Sequence, residues 1–305
     1  MRRIDFLINK IRLNTNNLST NRFNDIDIGI FLSDSQRSIQ TVAINNNVRS
    51  DFFSAEYRFF AENGKDIYDL PEDIFSKSSI NSVEARTGHQ SNDYASWTNL
   101  ANLTNVERAK GFGYILRDNK IILSPVPMNT NTEIRIIYVK SLPDVGPRYA
   151  QIESKTLVGS VLTIVANIVL NDKTLKLSDY FDHFSVVSKD GVFEQKKLSV
   201  NSFQIDTPTP GKVTIITDSP TGTVTVGSYV VGGLRTSSQS ELPDVCEKLL
   251  CSITERFIQY IDSSKDANAS TALSNEEGTV IIELFKNHTP DSPYPPISNG
   301  DYLNL

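Results

Sequence analysis

The chain has 305 residues, 39% hydrophobic and 22% charged, with a formal net charge of −6. These values suit a globular protein with room for two domains and exclude a disordered chain. Its 30 Lys and Arg stand against 36 Asp and Glu. No segment gathers the basic residues that would neutralise phosphates, so a direct grip on nucleic acid is not expected.

No apolar run approaches the ~20 residues of a membrane-spanning helix. The apolar residues at the N-terminus are interrupted by Asp5, Asn9 and Lys10, so no signal peptide is expected. Ile4, Leu7, Ile8 and Ile11 recur at helical spacing and predict an amphipathic helix over residues 2–13. After an Asn/Thr/Ser-rich break, a second helix is predicted from Asn24 to Ile44, with Asn24 or Asp25 as its cap. Its apolar positions Ile28, Leu32, Ile39 and Val42 form a narrow stripe suited to packing against other helices.

From Ser50 the pattern turns to β. Phe52–Phe60 alternates in part, and Tyr68-Asp-Leu-Pro-Glu-Asp-Ile74 reads as a turn in which the proline holds Leu70 extended. Ile80–Arg86 reads as a strand, and Thr87–Asn105 as a polar excursion holding Trp97, the only tryptophan. Gly113–Arg117 and Lys120–Ser124 flank Asp118-Asn119 and predict a tight hairpin, and Glu133–Val139 is the next strand.

A phrase then occurs twice: Leu142-Pro-Asp-Val145 closes these strands, and Leu242-Pro-Asp-Val245 opens a strong helix. Between them, about seven short strands are separated by turn signals such as Lys189-Asp-Gly191 and Ser219-Pro-Thr-Gly222. This predicts an immunoglobulin-like sandwich inserted over residues 150–233. A helix over 241–264 follows, with Pro243 in its first turn, and another over about 275–287. The expected fold class is therefore α+β: a helical framework with a small antiparallel β region, plus the inserted β-sandwich domain. Its divisions are residues 1–149, 150–233, 234–289 and an extended, proline-containing arm at 290–305.

No pattern of catalytic groups emerges. His89, His183 and His288 lack ligand spacing to one another or to the two cysteines, so no metal is expected. Cys246 and Cys251 fall on different faces of one helix, which predicts two buried thiols rather than a disulfide. Asp25-Ile-Asp27-Ile-Gly29 lacks the distal ligands of a calcium loop. Gly111-Phe-Gly113 falls short of a phosphate-binding loop. Asp66, Asp69, Glu72 and Asp73 read as solvated turn carboxylates. Neither an enzyme nor a cofactor is expected.

The order of these parts is similar to that of the head-to-tail adaptor (connector ring) proteins of short-tailed bacteriophages. The matching residues are Tyr68-Asp-Leu-Pro71, Gly113-Tyr114, Ile121-Ile-Leu-Ser-Pro-Val-Pro127, Ile137-Tyr138 and Glu241-Leu-Pro-Asp244. They span about residues 1–148 and 234–305, and the β segment between is a departure from the family pattern. An Asn-rich composition together with this insertion fits the crAss-like phages.

The resemblance implies a virion structural protein, made in the bacterial host cytoplasm, at the head–tail junction. It implies a homo-oligomeric, dodecameric ring between the portal protein and tail proteins, with genome DNA passing through without specific binding and no membrane involved. Residues 234–289 carry 5 basic against 9 acidic residues, a balance that suits a channel wall that must not hold phosphates. The arm offers Tyr294, Pro295, Pro296, Ile297, Tyr302, Leu303 and Leu305 for docking on another subunit or the portal. Two other readings are another ring or tail component of a virion, and a carbohydrate-binding or adhesion module using the inserted domain. The position of Trp97 outside the insertion speaks against the last.

The charge balance yields one test. Titration of the chain into free duplex DNA should show no sub-micromolar affinity and only a shallow salt dependence. Tight binding that falls steeply with salt would require several phosphate contacts and contradict this reading.

Overall fold

The computed structural model describes residues 2–15, 23–46, 50–87, 97–103, 113–128, 132–206, 211–218, 223–262 and 275–287. The chain divides into two compact units. One comprises the described residues of 1–48 and 142–287, the other those of 49–141.

Nineteen strands and four α-helices are present among the described residues, so the chain is mostly β. This corrects the expectation of a helical framework with a small β region. The signal was weak for a physical reason. Several strands are only two residues long, among them Thr98–Asn99, Ala101–Asn102 and Thr236–Ser237. A two-residue strand shows no alternation to read.

In the unit of residues 49–141, two four-stranded sheets enclose one core. The first runs Ser54–Phe60, Thr132–Val139, Ile80–Thr87, Thr98–Asn99, and the second Ile67–Asp69, Lys120–Ser124, Gly113–Arg117, Ala101–Asn102. Ala55, Val83, Ile134, Ile136 and Tyr138 of the first share a cluster with Tyr68, Tyr114, Ile121 and Leu123 of the second. The Tyr68 hydroxyl donates to the Lys65 carbonyl (2.8 Å) and accepts from the Glu62 amide (2.8 Å), which fixes the turn before Leu70-Pro71.

The other unit holds the helices α1 (Ile4–Asn14), α2 (Asp25–Asn45), α3 (Glu247–Asp262) and α4 (Asn275–Asn287). Asn24 caps α2 by accepting from the amides of Ile26 and Asp27, while the Asp27 carboxylate accepts from the Asn24 amide. Arg12, at the end of α1, donates to the Asp25 carboxylate (2.6 Å) and to the Phe23 carbonyl (2.9 Å). Both members of this ion pair are buried. Ser35 of α2 and Thr254 of α3, both fully buried, share a hydroxyl hydrogen bond of 2.9 Å where those helices meet. Leu7, Ile8, Ile11, Leu32, Ile39, Ile253, Phe257, Ile281 and Phe285 are buried on the four helices.

The β segment of the same unit is a single antiparallel sheet of seven strands. Its order is Phe193–Ser199, His183–Val187, Tyr229–Gly232, Ala150–Val158, Val161–Ile168, Lys212–Asp218, Ser202–Ile205. Side chains from all seven strands meet one interior, including Leu198, Phe184, Val230, Ile152, Ile164 and Ile215, with Phe203 packed against it. One hydrogen-bonded ladder curled around one interior replaces the two stacked sheets expected of an immunoglobulin-like sandwich. The run that reads as one strand, Val158–Val165, is instead the inner part of a long hairpin, Ala150–Val158 with Val161–Ile168. Gly159 turns it with φ of +60°. An extra residue, Glu153, bulges the first strand between Ile152 and Ser154.

This sheet and α2 are not independent. Ile26 of α2 belongs to the sheet's core cluster. Gly29 lets α2 lie against the loop that enters the sheet, since a Cβ there would stand 2.7 Å from Pro147 Cδ. The two flanks of the segment pair in parallel, Asp144 with Thr236 and Val145 with Ser237. Both flanks are held by polar side chains of α2. Ser33 Oγ donates to the Val145 carbonyl (2.7 Å) and accepts from the Val145 amide (2.9 Å). Gln36 Nε2 donates to the Pro143 carbonyl (2.8 Å), and its Oε1 accepts from Ser240 Oγ (2.6 Å). Gln40 Oε1 accepts from the Leu142 amide (3.1 Å).

Gln36 is buried, so Gln36→Leu would take from the Pro143 carbonyl its donor and from the Ser240 hydroxyl proton its acceptor, away from water. We expect it to lower the unfolding free energy by roughly 2–4 kcal/mol, at about 1–3 kcal/mol per unsatisfied group. Chemical denaturation followed by circular dichroism measures this. A loss below about 0.5 kcal/mol, the ordinary effect of a surface substitution, would contradict the bridging role.

Candidate functional site

The residues singled out from the sequence do not converge. His183 starts a strand of the curled sheet, whereas His89 and His288 lie outside the described residues. Asp73 accepts from the Tyr138 hydroxyl (2.6 Å), and Asp69 pairs with Lys120 (3.1 Å), so these turn carboxylates have local partners. Asp25 and Asp27 are committed to Arg12 and to the α2 cap. Gly113 sits where a Cβ would meet the Ala101 carbonyl oxygen at 2.3 Å, a requirement of strand packing. Cys246 and Cys251 are buried and unbridged, and burial pushes their thiols up to about 12 and about 11. Thiols held so far from ionisation are poor nucleophiles. Among the described residues, no group of three or more His, Cys, Asp and Glu is placed to hold a metal ion. Among them too, no helix is long and apolar enough to cross a membrane. The arm residues Tyr294, Pro295, Pro296, Ile297, Tyr302, Leu303 and Leu305 lie outside the described residues.

Two features not visible in the sequence do emerge. In the unit of residues 49–141, three neighbouring strands each carry Glu-x-Arg: Glu56-Tyr-Arg58, Glu133-Ile-Arg135 and Glu84-Ala-Arg86. With period 2, all six charges fall on one sheet face. Arg86 pairs with Glu133 (2.5 Å), and Arg135 with Glu84 and, at 3.7 Å, with Glu56. The Trp97 ring lies over them, 4.2 Å from Arg135, 4.6 Å from Arg86 and 5.6 Å from Arg58. Each guanidinium is thus offered both a carboxylate and an aromatic face. Three Arg balanced by three Glu leave no surplus charge for an anion, so this face is self-contained.

The second feature is a groove of about 420 Å³ in the helix-bearing unit. One wall is the α2 stripe Ile26, Gly29, Ile30, Ser33, Asp34 and Arg37, spaced as one helical face. The other comprises the entry loop 144–147, the segment Tyr180–His183 and the exit Gly232–Leu234. Ile30 and Leu234 are large apolar side chains left exposed here. Asp34, Asp144 and Asp182 outnumber Arg37, which pairs with Asp144 (2.5 Å) and Asp34 (3.4 Å). Partial burial raises the Asp34 carboxyl above its ordinary range, against the pull of Arg37, and the nearby Asp144 adds to the rise. Exposed apolar side chains beside a surplus of carboxylates suit a side-chain cluster of mixed apolar and basic character.

At the far end of the sheet, the hairpin Ala150–Ile168 carries Leu157, Val158 and Val161 at its tip, 56%, 71% and 42% exposed. A smaller pocket of about 290 Å³ is lined by Arg3, Asp5, Asn9 and Arg148 among others. There Arg148 is buried, lies 4.3 Å from the Tyr229 ring and donates to the Lys189 carbonyl, which marks a structural anchor.

No protein-family model matches this chain, and no curated protein matches it in sequence.

The Asp34 carboxyl sets a pH dependence. A carboxyl whose pKa rises on folding contributes stability while protonated, and loses that contribution as pH rises through the folded-state pKa. Asp34→Asn should therefore raise the melting temperature at neutral pH, with the gain shrinking as pH falls through the raised folded-state pKa and gone below about 4, where the carboxyl is protonated in both states. Melting curves of both proteins across this range measure it. A uniform loss at every pH would show that the Arg37 contact dominates.

Proposed function

We propose that the chain is a structural subunit of a virion, assembling into a ring between portal and tail through which genome DNA passes. The observation that carries this reading is the apolar hairpin tip held out from the sheet on the same unit as a half-open apolar groove. Exposed apolar clusters of this kind mark surfaces that other proteins cover. The order of Tyr68-Asp-Leu-Pro71, Gly113-Tyr114, Ile121–Pro127 and Glu241-Leu-Pro-Asp244, which resembles head-to-tail adaptors, supports the particular assembly. In this reading the fold is a scaffold for contact, and the buried thiols and locally paired carboxylates serve its stability.

A subunit of this ring belongs at one place in the particle. Gold-labelled antibody raised against the chain should mark the junction of head and tail in micrographs of opened parent particles. Label confined to fibres or capsid, or particles carrying none of the chain, would contradict the proposal.

A further inference from the structure

The groove and the hairpin tip stand at opposite ends of one strand. The groove's entry loop, residues 144–149, runs directly into Ala150–Val158, whose other end is the tip. Nine residues at about 3.3 Å each, less the bulge, set the two surfaces roughly 25–30 Å apart. Within one chain they cannot cover each other. Between copies they can, and a contact joining two different patches is head-to-tail, the kind that propagates into a closed ring or a filament.

The chemistry of the two surfaces matches. Leu157, Val158 and Val161 present an apolar knob, and Ile30 and Leu234 are exposed apolar side chains of the groove. Lys155 lies two residues before Leu157, hence on that side of the hairpin and opposite Val158 and Val161, and is exposed. On the other side Asp218, across the ladder from Val161, accepts from the Asn201 side-chain amide (2.8 Å). The Lys155 ammonium donates to the Val224 carbonyl and has no carboxylate partner among the described residues. The groove supplies the complementary sign, with Asp34, Asp144 and Asp182 against Arg37. A carboxyl such as Asp34, partly withdrawn from water with one guanidinium 3.4 Å away, gains from a second cation. A tip-to-tip contact would instead place Lys155 against its own copy.

We propose that the tip of the Ala150–Ile168 hairpin of one copy docks in the α2 groove of the next, and that this contact is the repeating interface of the ring. The inference rests on the reading of the chain as a ring-forming subunit, but it is tested separately from location in the particle. Val158→Asp alters the knob and Leu234→Asp the groove. Both positions are half-exposed or more, so both variants should keep the wild-type circular dichroism spectrum.

Sedimentation equilibrium of the full chain at rising concentration should show self-association that either substitution weakens at least about tenfold. An equimolar mixture of the two variants is decisive. The intact tip of the groove variant fits the intact groove of the tip variant, so the mixture should form dimers and stop there. Four results would overturn the inference: wild-type association unchanged by either variant, association lost with one variant but not the other, a mixture that stays monomeric, or a wild-type chain that never self-associates. The antibody label at the junction would stand or fall independently of all four.

Discussion

Three polar side chains on one face of α2, Ser33, Gln36 and Gln40, hold the entry and exit of the long β segment. They sit at i, i+3 and i+7, so they form one line along the helix. All three are buried, and each bonds to backbone or side-chain groups of the flanks. Gln36 touches both sides, through Pro143 on the way in and Ser240 on the way out. The curled sheet thus leaves the helices and returns to them at one point.

That constraint explains several features that look unrelated in the sequence. The two flanks lie close enough to pair in parallel, although about ninety residues separate them in the chain. Gly29 is needed because the entry loop runs against the helix at Pro147. Ile26, one turn earlier, reaches the core of the sheet and extends the same contact with an apolar side chain. On its other faces α2 meets α1 through Arg12 and Asp25 and α3 through Ser35 and Thr254. A helix whose buried face carries Ser33, Ser35, Gln36 and Gln40 among its apolar residues reads in sequence as weakly amphipathic.

The helices were legible because their apolar residues recur over several turns and Asn24 supplies a cap. The hairpin Gly113–Ser124 was legible because Asp118-Asn119 separates two apolar runs. The first Leu-Pro-Asp-Val lies where the chain enters the β segment, whereas the second lies at the turn before α3, ten residues after the last strand of the sheet ends at Gly232. The mostly β character was not legible, since two-residue strands carry no period and the turn of the long hairpin is hidden inside an apolar run. The Glu-x-Arg triplets were present in the sequence, but only strand pairing shows that they share a face under Trp97. The groove was equally invisible, because it is built from residues near 30, 145, 182 and 233 that only the fold brings together.

Native-state hydrogen exchange tests the role of the α2 stripe most directly. The Leu142 amide donates to Gln40 and the Val145 amide to Ser33, so their protection reports the clamp itself. If α2 fixes the flanks, both amides should open only with the helix, with protection matching that of Ile28 and Leu32 in α2. Exchange of Leu142 and Val145 at the rates of an exposed loop, while α2 stays protected, would contradict it.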